Sequence, residues 1–84
     1  MKQLSVEQLA AIRALPLCGL PNRLRVVRQI LEVDQVTLAT AAGVMQPTVS
    51  LAESGGEIKL LTAQRIAAAL GACVDDIFPI ETAA

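Results

Sequence analysis

Apolar positions recur at helical spacing along most of this chain. Val6, Leu9, Ile12 and Leu15 fall three residues apart and predict one amphipathic helix. Ser5 and Gln8 stand at capping-box spacing before it, and Pro16 stops it. The segment Leu15 to Pro21, LPLCGLP, reads as a linker punctuated by Pro and Gly. A second helix is predicted from about Asn22 to Glu32. It carries two apolar stripes, Leu24, Val27 and Leu31 on one side and Val26, Ile30 and Val33 on the other. Two stripes need two covers, so one is expected to take the following helices and the other the N-terminal helix or a second subunit.

The stretch from Gln35 to Gly55 reads as two short helices joined by a tight turn. Val36, Leu38, Ala39 and Ala42 give the first an apolar stripe, with Asp34 as its N-cap. Gly43 can take the left-handed conformation that ends a helix, and the second helix starts near Gln46. In that second helix Val49 and Ala52 share an inward face. Pro47, Ser50, Leu51 and Ser54 therefore point the other way, with Gln46 at their leading edge. After Gly55 and Gly56, a further helix is predicted over Leu60 to Leu70, with Ala63, Ile66, Ala67 and Leu70 inward and Gly71 as its C-terminal cap. Val74 to Phe78 can add one short turn before Pro79, leaving residues 80–84 as a tail.

Composition narrows the class without changing this picture. Of 84 residues, 54% are hydrophobic and a single one, Phe78, is aromatic, which suits one small all-α core and leaves no room for a separate catalytic domain. No apolar run approaches the roughly 20 residues that span a bilayer, and no signal-peptide core stands at the N-terminus, so a cytoplasmic location and no membrane partner are expected. Cys18 and Cys73 suit that compartment as thiols, although the sequence leaves a disulfide between them open. Without CxxC spacing or any His, they offer no metal or redox chemistry, and no cofactor is expected. An enzyme is disfavoured too. A cysteine nucleophile would lack an imidazole partner, and the paired Asp75 and Asp76 read as helix-start charges. The net charge of -1 is low for a nucleic-acid binder, yet Arg23, Arg25 and Arg28 cluster while acidic residues gather near the ends.

From Asn22 to Pro79 the chain resembles the lambda-repressor-like, Xre-type helix-turn-helix family, five-helix DNA-binding domains of phage and bacterial transcriptional regulators. The residues that carry the resemblance are Asn-Arg-Leu-Arg at 22–25, Arg28, Gln35, Leu38-Ala39, Gly43-Val44, QPTVS at 46–50, Glu53, Gly55 and the closing AALGACVDDIFP. It implies a domain over residues 22–79, preceded by an extra N-terminal helix and linker (1–21) and followed by a tail (80–84). The function implied is sequence-specific binding of double-stranded DNA by a regulator, a repressor in our reading, acting as a homodimer on a palindromic operator.

The resemblance also implies roles for residues. Gln46 is the first candidate for base reading, because a glutamine amide can pair bidentately with adenine. Thr48 and Ser50 could bond to a base edge or a phosphate, and Pro47 or Leu51 could pack on a thymine methyl. Phosphate contacts fall to Asn22, Arg23, Arg25, Gln35, Ser54 and Lys59, with Gln35 using the positive end of its helix. Arg28 and Glu53 are implied to form an ion pair tying the first domain helix to the end of the recognition helix. Homodimerisation is assigned to Ile58, Leu61, Ile77, Phe78 and Ile80, with Leu60 in the same apolar run. The bland alternative for the whole outer face is a polar helix surface that touches only water.

Several positions depart from the family pattern. Met45, Lys59 and Cys73 stand where a capping side chain is common, at about 1 kcal/mol for each missing cap. Leu51 replaces a position often polar or basic, and Glu57 adds negative charge beside Lys59. These departures, with the unmatched first 20 or so residues, keep open a second function: a protein-interaction module on the same scaffold, such as an antitoxin or a regulator that binds another regulator, engaging its partner through the N-terminal helix or an apolar loop.

Overall fold

A computed structural model describes residues 2–15 and 19–78, which form six helices and no strand among the described residues. In chain order they are α1 (Val6–Ala14), α2 (Leu24–Ile30), α3 (Gln35–Ala42), α4 (Gln46–Glu53), α5 (Leu60–Leu70) and α6 (Val74–Ile77). The chain is therefore all-α. Pro16, Cys18, Pro79 and Ile80, to which the sequence assigned helix stops, a thiol and an interface position, lie outside the described residues. Among the described residues, no helix is long and apolar enough to cross a membrane.

Local chemistry sets most of the boundaries. At α1 the Ser5 hydroxyl accepts from the Gln8 amide while the Gln8 side chain accepts from the Ser5 amide, so two otherwise free donors are satisfied. The Asp34 carboxylate accepts from the Thr37 amide at 2.7 Å at the start of α3, and that bond holds its pKa below the usual carboxylate range. Gly43, at φ 70°, turns the chain out of α3 in the left-handed region where a side chain would be strained. The second helix is shorter than the predicted 22–32 span. Asn22 stays outside it, and the chain leaves it through Glu32, which adopts φ 55°.

One core joins the helices. Leu24 and Val27 of α2, Leu38 of α3, Val49 of α4, Ile66 and Leu70 of α5 and Ile77 of α6 are fully enclosed, each removing enough apolar surface to stabilise the fold by about 1.5–3 kcal/mol. Helix α3 packs on α4 and α5, α2 on α4, α5 on α6, and α1 on α6. The first stripe of α2 is covered as expected, whereas the second is covered only in part, with Ile30 exposed.

The N-terminal segment docks differently from its predicted stripe. Val6 is 83% exposed, and Leu4, two residues earlier, is buried instead. The reason is a backbone tie: the Leu4 amide donates to Leu70 O at 2.8 Å and the Gln3 side-chain amide to Ala68 O at 3.2 Å. Both carbonyls belong to the last turn of α5; Ala68 O also accepts from the Gly71 amide at the helix cap. Ile12 then drops into the core, and Arg13 closes a two-pronged ion pair with Asp76 of α6.

Candidate functional site

Helix α4 shows its outer face to solvent. Val49 and Ala52 are buried, while Gln46, Pro47, Ser50, Leu51 and Ser54 are exposed and Thr48 is half-buried. The helix opens without a side-chain cap at Met45 and carries Pro47 in its first turn, where a missing amide costs nothing. Ser54 closes it, its hydroxyl donating to Leu51 O at 2.9 Å. Leu51 does not stand free of the surface, because its side chain leans on the loop: a Cβ added at Gly56 would lie 2.2 Å from Leu51 Cδ1.

The leading residue of α4 belongs to a continuous chain of hydrogen bonds. Gln46 Nε2 donates to Gln35 Oε1 at 2.6 Å, and Gln35 Nε2 donates to Glu53 Oε2 at 2.6 Å. Glu53 Oε1 receives Arg28 Nη2 at 2.9 Å and Nε at 3.3 Å, and Arg28 Nη1 donates to Val33 O at 3.0 Å. Four segments, α2, the loop before α3, α3 and α4, are thereby held by one carboxylate and one guanidinium. Both ends of the ion pair are largely withdrawn from water, with side-chain exposures of 17% and 8%. Losing one partner would strand the other charge at a cost of about 3–5 kcal/mol. The resemblance had implied this pair; the two glutamines extending it toward the surface were not foreseen.

Beside this relay lies a cleft of about 270 Å³ lined by Arg25, Arg28, Gln35, Ser50, Glu53 and Ser54. Glu53 neutralises Arg28, so Arg25, exposed and in no ion pair among the described residues, sets the sign of the cleft. Lys59, exposed at the start of α5, adds a second cation after the loop. The arrangement presents one oriented amide, two hydroxyls and a guanidinium, groups suited to hydrogen bonding and anion contact.

Other predicted site residues are placed elsewhere. Asn22 is 6% exposed and spends both ends of its amide internally, donating to Ala52 O at 2.7 Å and accepting from the Leu24 amide at 3.0 Å. Its expected phosphate contact is corrected to a tie between α2 and α4. Arg23 is corrected likewise, its guanidinium donating to Leu15 O at 3.0 Å and Asp76 O at 3.4 Å. Of the expected dimer positions, Ile77 is fully buried, and Ile58 and Phe78 are half-buried against the core. Those three serve the interior of one chain. Leu61, 57% exposed, and Leu60, 60% exposed, remain as a free apolar pair on α5.

Asp76 was read as a helix-start charge and proves to be a buried hub. It accepts from Arg13 at 2.6 and 3.2 Å and from the Cys73 amide at 3.0 Å, and the Arg13 bond holds its pKa below the usual carboxylate range. Only the pairing of an acidic residue in the last turn with the basic residue at the end of α1 could have signalled it. Comparison with protein-family models, curated proteins and solved structures finds no match for this chain.

Proposed function

We propose that the chain is a sequence-specific DNA-binding regulator of lambda-repressor-like architecture, with α3 and α4 as its helix-turn-helix and α4 as the helix that enters the major groove. The observation that carries this reading is the Gln46–Gln35–Glu53 relay at the leading edge of a helix whose outer face is exposed among the described residues. A glutamine that already donates one N–H to Gln35 keeps its carbonyl oxygen and a second N–H for adenine N6 and N7. Arg25 and Lys59 supply phosphate contacts on either side, with Ser50 as a hydroxyl donor at the cleft, while the Ser54 hydroxyl gives its proton to Leu51 O. So few cations fit modest affinity per subunit, and a homodimer through Leu60 and Leu61 on a palindromic operator would compensate. Repression by occlusion of a promoter is the simplest output of such a dimer.

The protein-interaction reading draws support from one observation, the exposure of Met45 and Leu51 beside the polar face of α4. Titration with duplex DNA from upstream of the protein's own coding sequence, at several salt concentrations, separates the two. The DNA reading expects binding that weakens steeply with salt and prefers that duplex over scrambled sequence. Binding no tighter than the non-specific range of about 10⁻⁴–10⁻⁶ M would favour a protein partner.

A further inference from the structure

The turn between α4 and α5 contains two consecutive glycines, a backbone that other contacts must hold, and side chains close on it from two directions. Gly55 takes φ 84°, and a Cβ placed there would lie 2.8 Å from Pro21 Cβ. A Cβ placed on Gly56 would fall 2.2 Å from Leu51 Cδ1 and 2.7 Å from Leu51 Cγ, so the leucine side chain occupies the space that the missing side chain leaves. Backbone bonds join the same residues. The Gly56 amide donates to Leu51 O at 2.9 Å, and the Ser54 hydroxyl donates to that oxygen as well, also at 2.9 Å. Leu51 is 48% exposed on the outer face of α4, yet its contacts run to the turn.

We infer that Leu51 is a positioning residue for DNA binding: by seating the turn at Gly56 it fixes α4 relative to Lys59, so that the first turn of α4 and the Lys59 ammonium reach the duplex together. This rests on the DNA reading of α4 and replaces the thymine-methyl contact expected of Leu51 from the sequence. Both helices flanking the turn are anchored, α4 by Val49, Ala52 and the Asn22–Ala52 bond, and α5 by Ile66 and Leu70. The glycine pair is the compliant link between them. Lys59 stands three residues beyond Gly56, exposed at the start of α5, so its distance from Gln46 depends on how that link is held. A recognition helix that shifts against its phosphate anchor loses the joint contact on every sequence alike. Leu51 therefore acts on affinity and leaves base preference to Gln46, Pro47 and Ser50, whereas a methyl-reading leucine would act on one base pair.

The test compares the full chain with Leu51→Ala and with Gly56→Ala, whose new Cβ falls on the leucine and displaces it without removing it. In the free protein, hydrogen exchange at the Gly56 amide should quicken in both variants. Gly56→Ala should lower the urea midpoint of the parent by more than it lowers that of Leu51→Ala, the signature of two residues in contact. Selection from a pool of duplexes with a randomised centre then supplies the preferred site, and binding is measured on it and on its single-base-pair variants where both proteins are folded. Leu51→Ala should bind all of them roughly 3- to 30-fold more weakly, with each preference within about twofold of the parent's. The slope of affinity against salt should shrink by about 1, the loss of one phosphate contact, and Gly56→Ala should behave alike. Loss of an approximately 5- to 150-fold preference at one base pair in Leu51→Ala would make Leu51 a base reader and overturn the proposal. Unchanged affinity and salt slope in a folded variant would overturn it too, leaving Leu51 a packing residue alone. No enrichment from the pool would overturn the DNA reading itself, a failure that the exchange and midpoint results of the free protein keep distinct from failure of the Leu51–Gly56 contact.

Discussion

The side-chain amide of Asn22 donates to the carbonyl of Ala52 across 2.7 Å, so the residue that opens the second helix holds the last turn of α4. The same side chain accepts from the Leu24 amide, which lets one residue start α2 and fix the height of the candidate recognition helix. Replacing Asn22 by Ala leaves a buried carbonyl and an uncapped helix start without partners. The expected loss is about 1–3 kcal/mol, measured by urea unfolding. A change below about 0.5 kcal/mol, the range of an ordinary surface substitution, would contradict the internal role.

The Arg13–Asp76 pair ties α1 to α6 and makes stability depend on pH in a stated direction. Asp76 has a folded pKa lowered chiefly by its bond to Arg13. Its contribution is therefore fully present above the unfolded carboxylate value of about 3.9 and is lost as pH falls through the lower folded value. Asp34, lowered by its Thr37 bond, acts in the same direction. Urea midpoints of the parent and Asp76→Asn should differ by a constant amount above about pH 5 and converge under more acid conditions. A gap that widens on acidification would contradict the pairing.

Helix α1 is an integral part of the core rather than an appended arm, because Ile12 has no exposed surface. Ile12→Ala should cost about 2–5 kcal/mol by thermal or urea unfolding. Val6→Ala, at an 83% exposed position, should change stability by less than about 0.5 kcal/mol. Equal effects at the two positions would show that α1 does not dock as described.

Leu60 and Leu61 carry the dimer expectation that Ile58, Ile77 and Phe78 cannot, since those side chains serve the interior. Sedimentation of the parent at micromolar concentration should give twice the chain mass, and Leu61→Asp should return it to a folded monomer whose stability no longer depends on protein concentration. A parent that sediments as a monomer would remove the dimer.

What the sequence made legible was whatever depends on neighbours a few residues away. Ser5 with Gln8, Asp34 before Thr37, Gly43 and Gly71 announce helix ends by local chemistry, and the spacing of Val49 and Ala52 gives the buried face of α4. Partners distant in sequence were not legible. Asn22 and Ala52 lie 30 residues apart and Arg13 and Asp76 63 apart, and a polar residue in a basic cluster looks the same whether it meets phosphate or a carbonyl. Leu4 was missed because its burial follows from a backbone bond to the end of α5, which no side-chain periodicity records. In the candidate site, the spacing put Gln46 at the edge of the outer face, but the direction of its amide depends on Gln35 and Glu53 from two other turns of chain.

If α4 is a recognition helix, its outer face meets DNA. Amide chemical-shift mapping of the full chain against its selected duplex tests this most directly. Shifts are expected to concentrate at Gln35, Gln46 to Leu51, Ser54 and Arg25, with α1 and α6 unmoved. Shifts confined to α1 or to Leu60 and Leu61, with Gln46 silent at saturation, would contradict it.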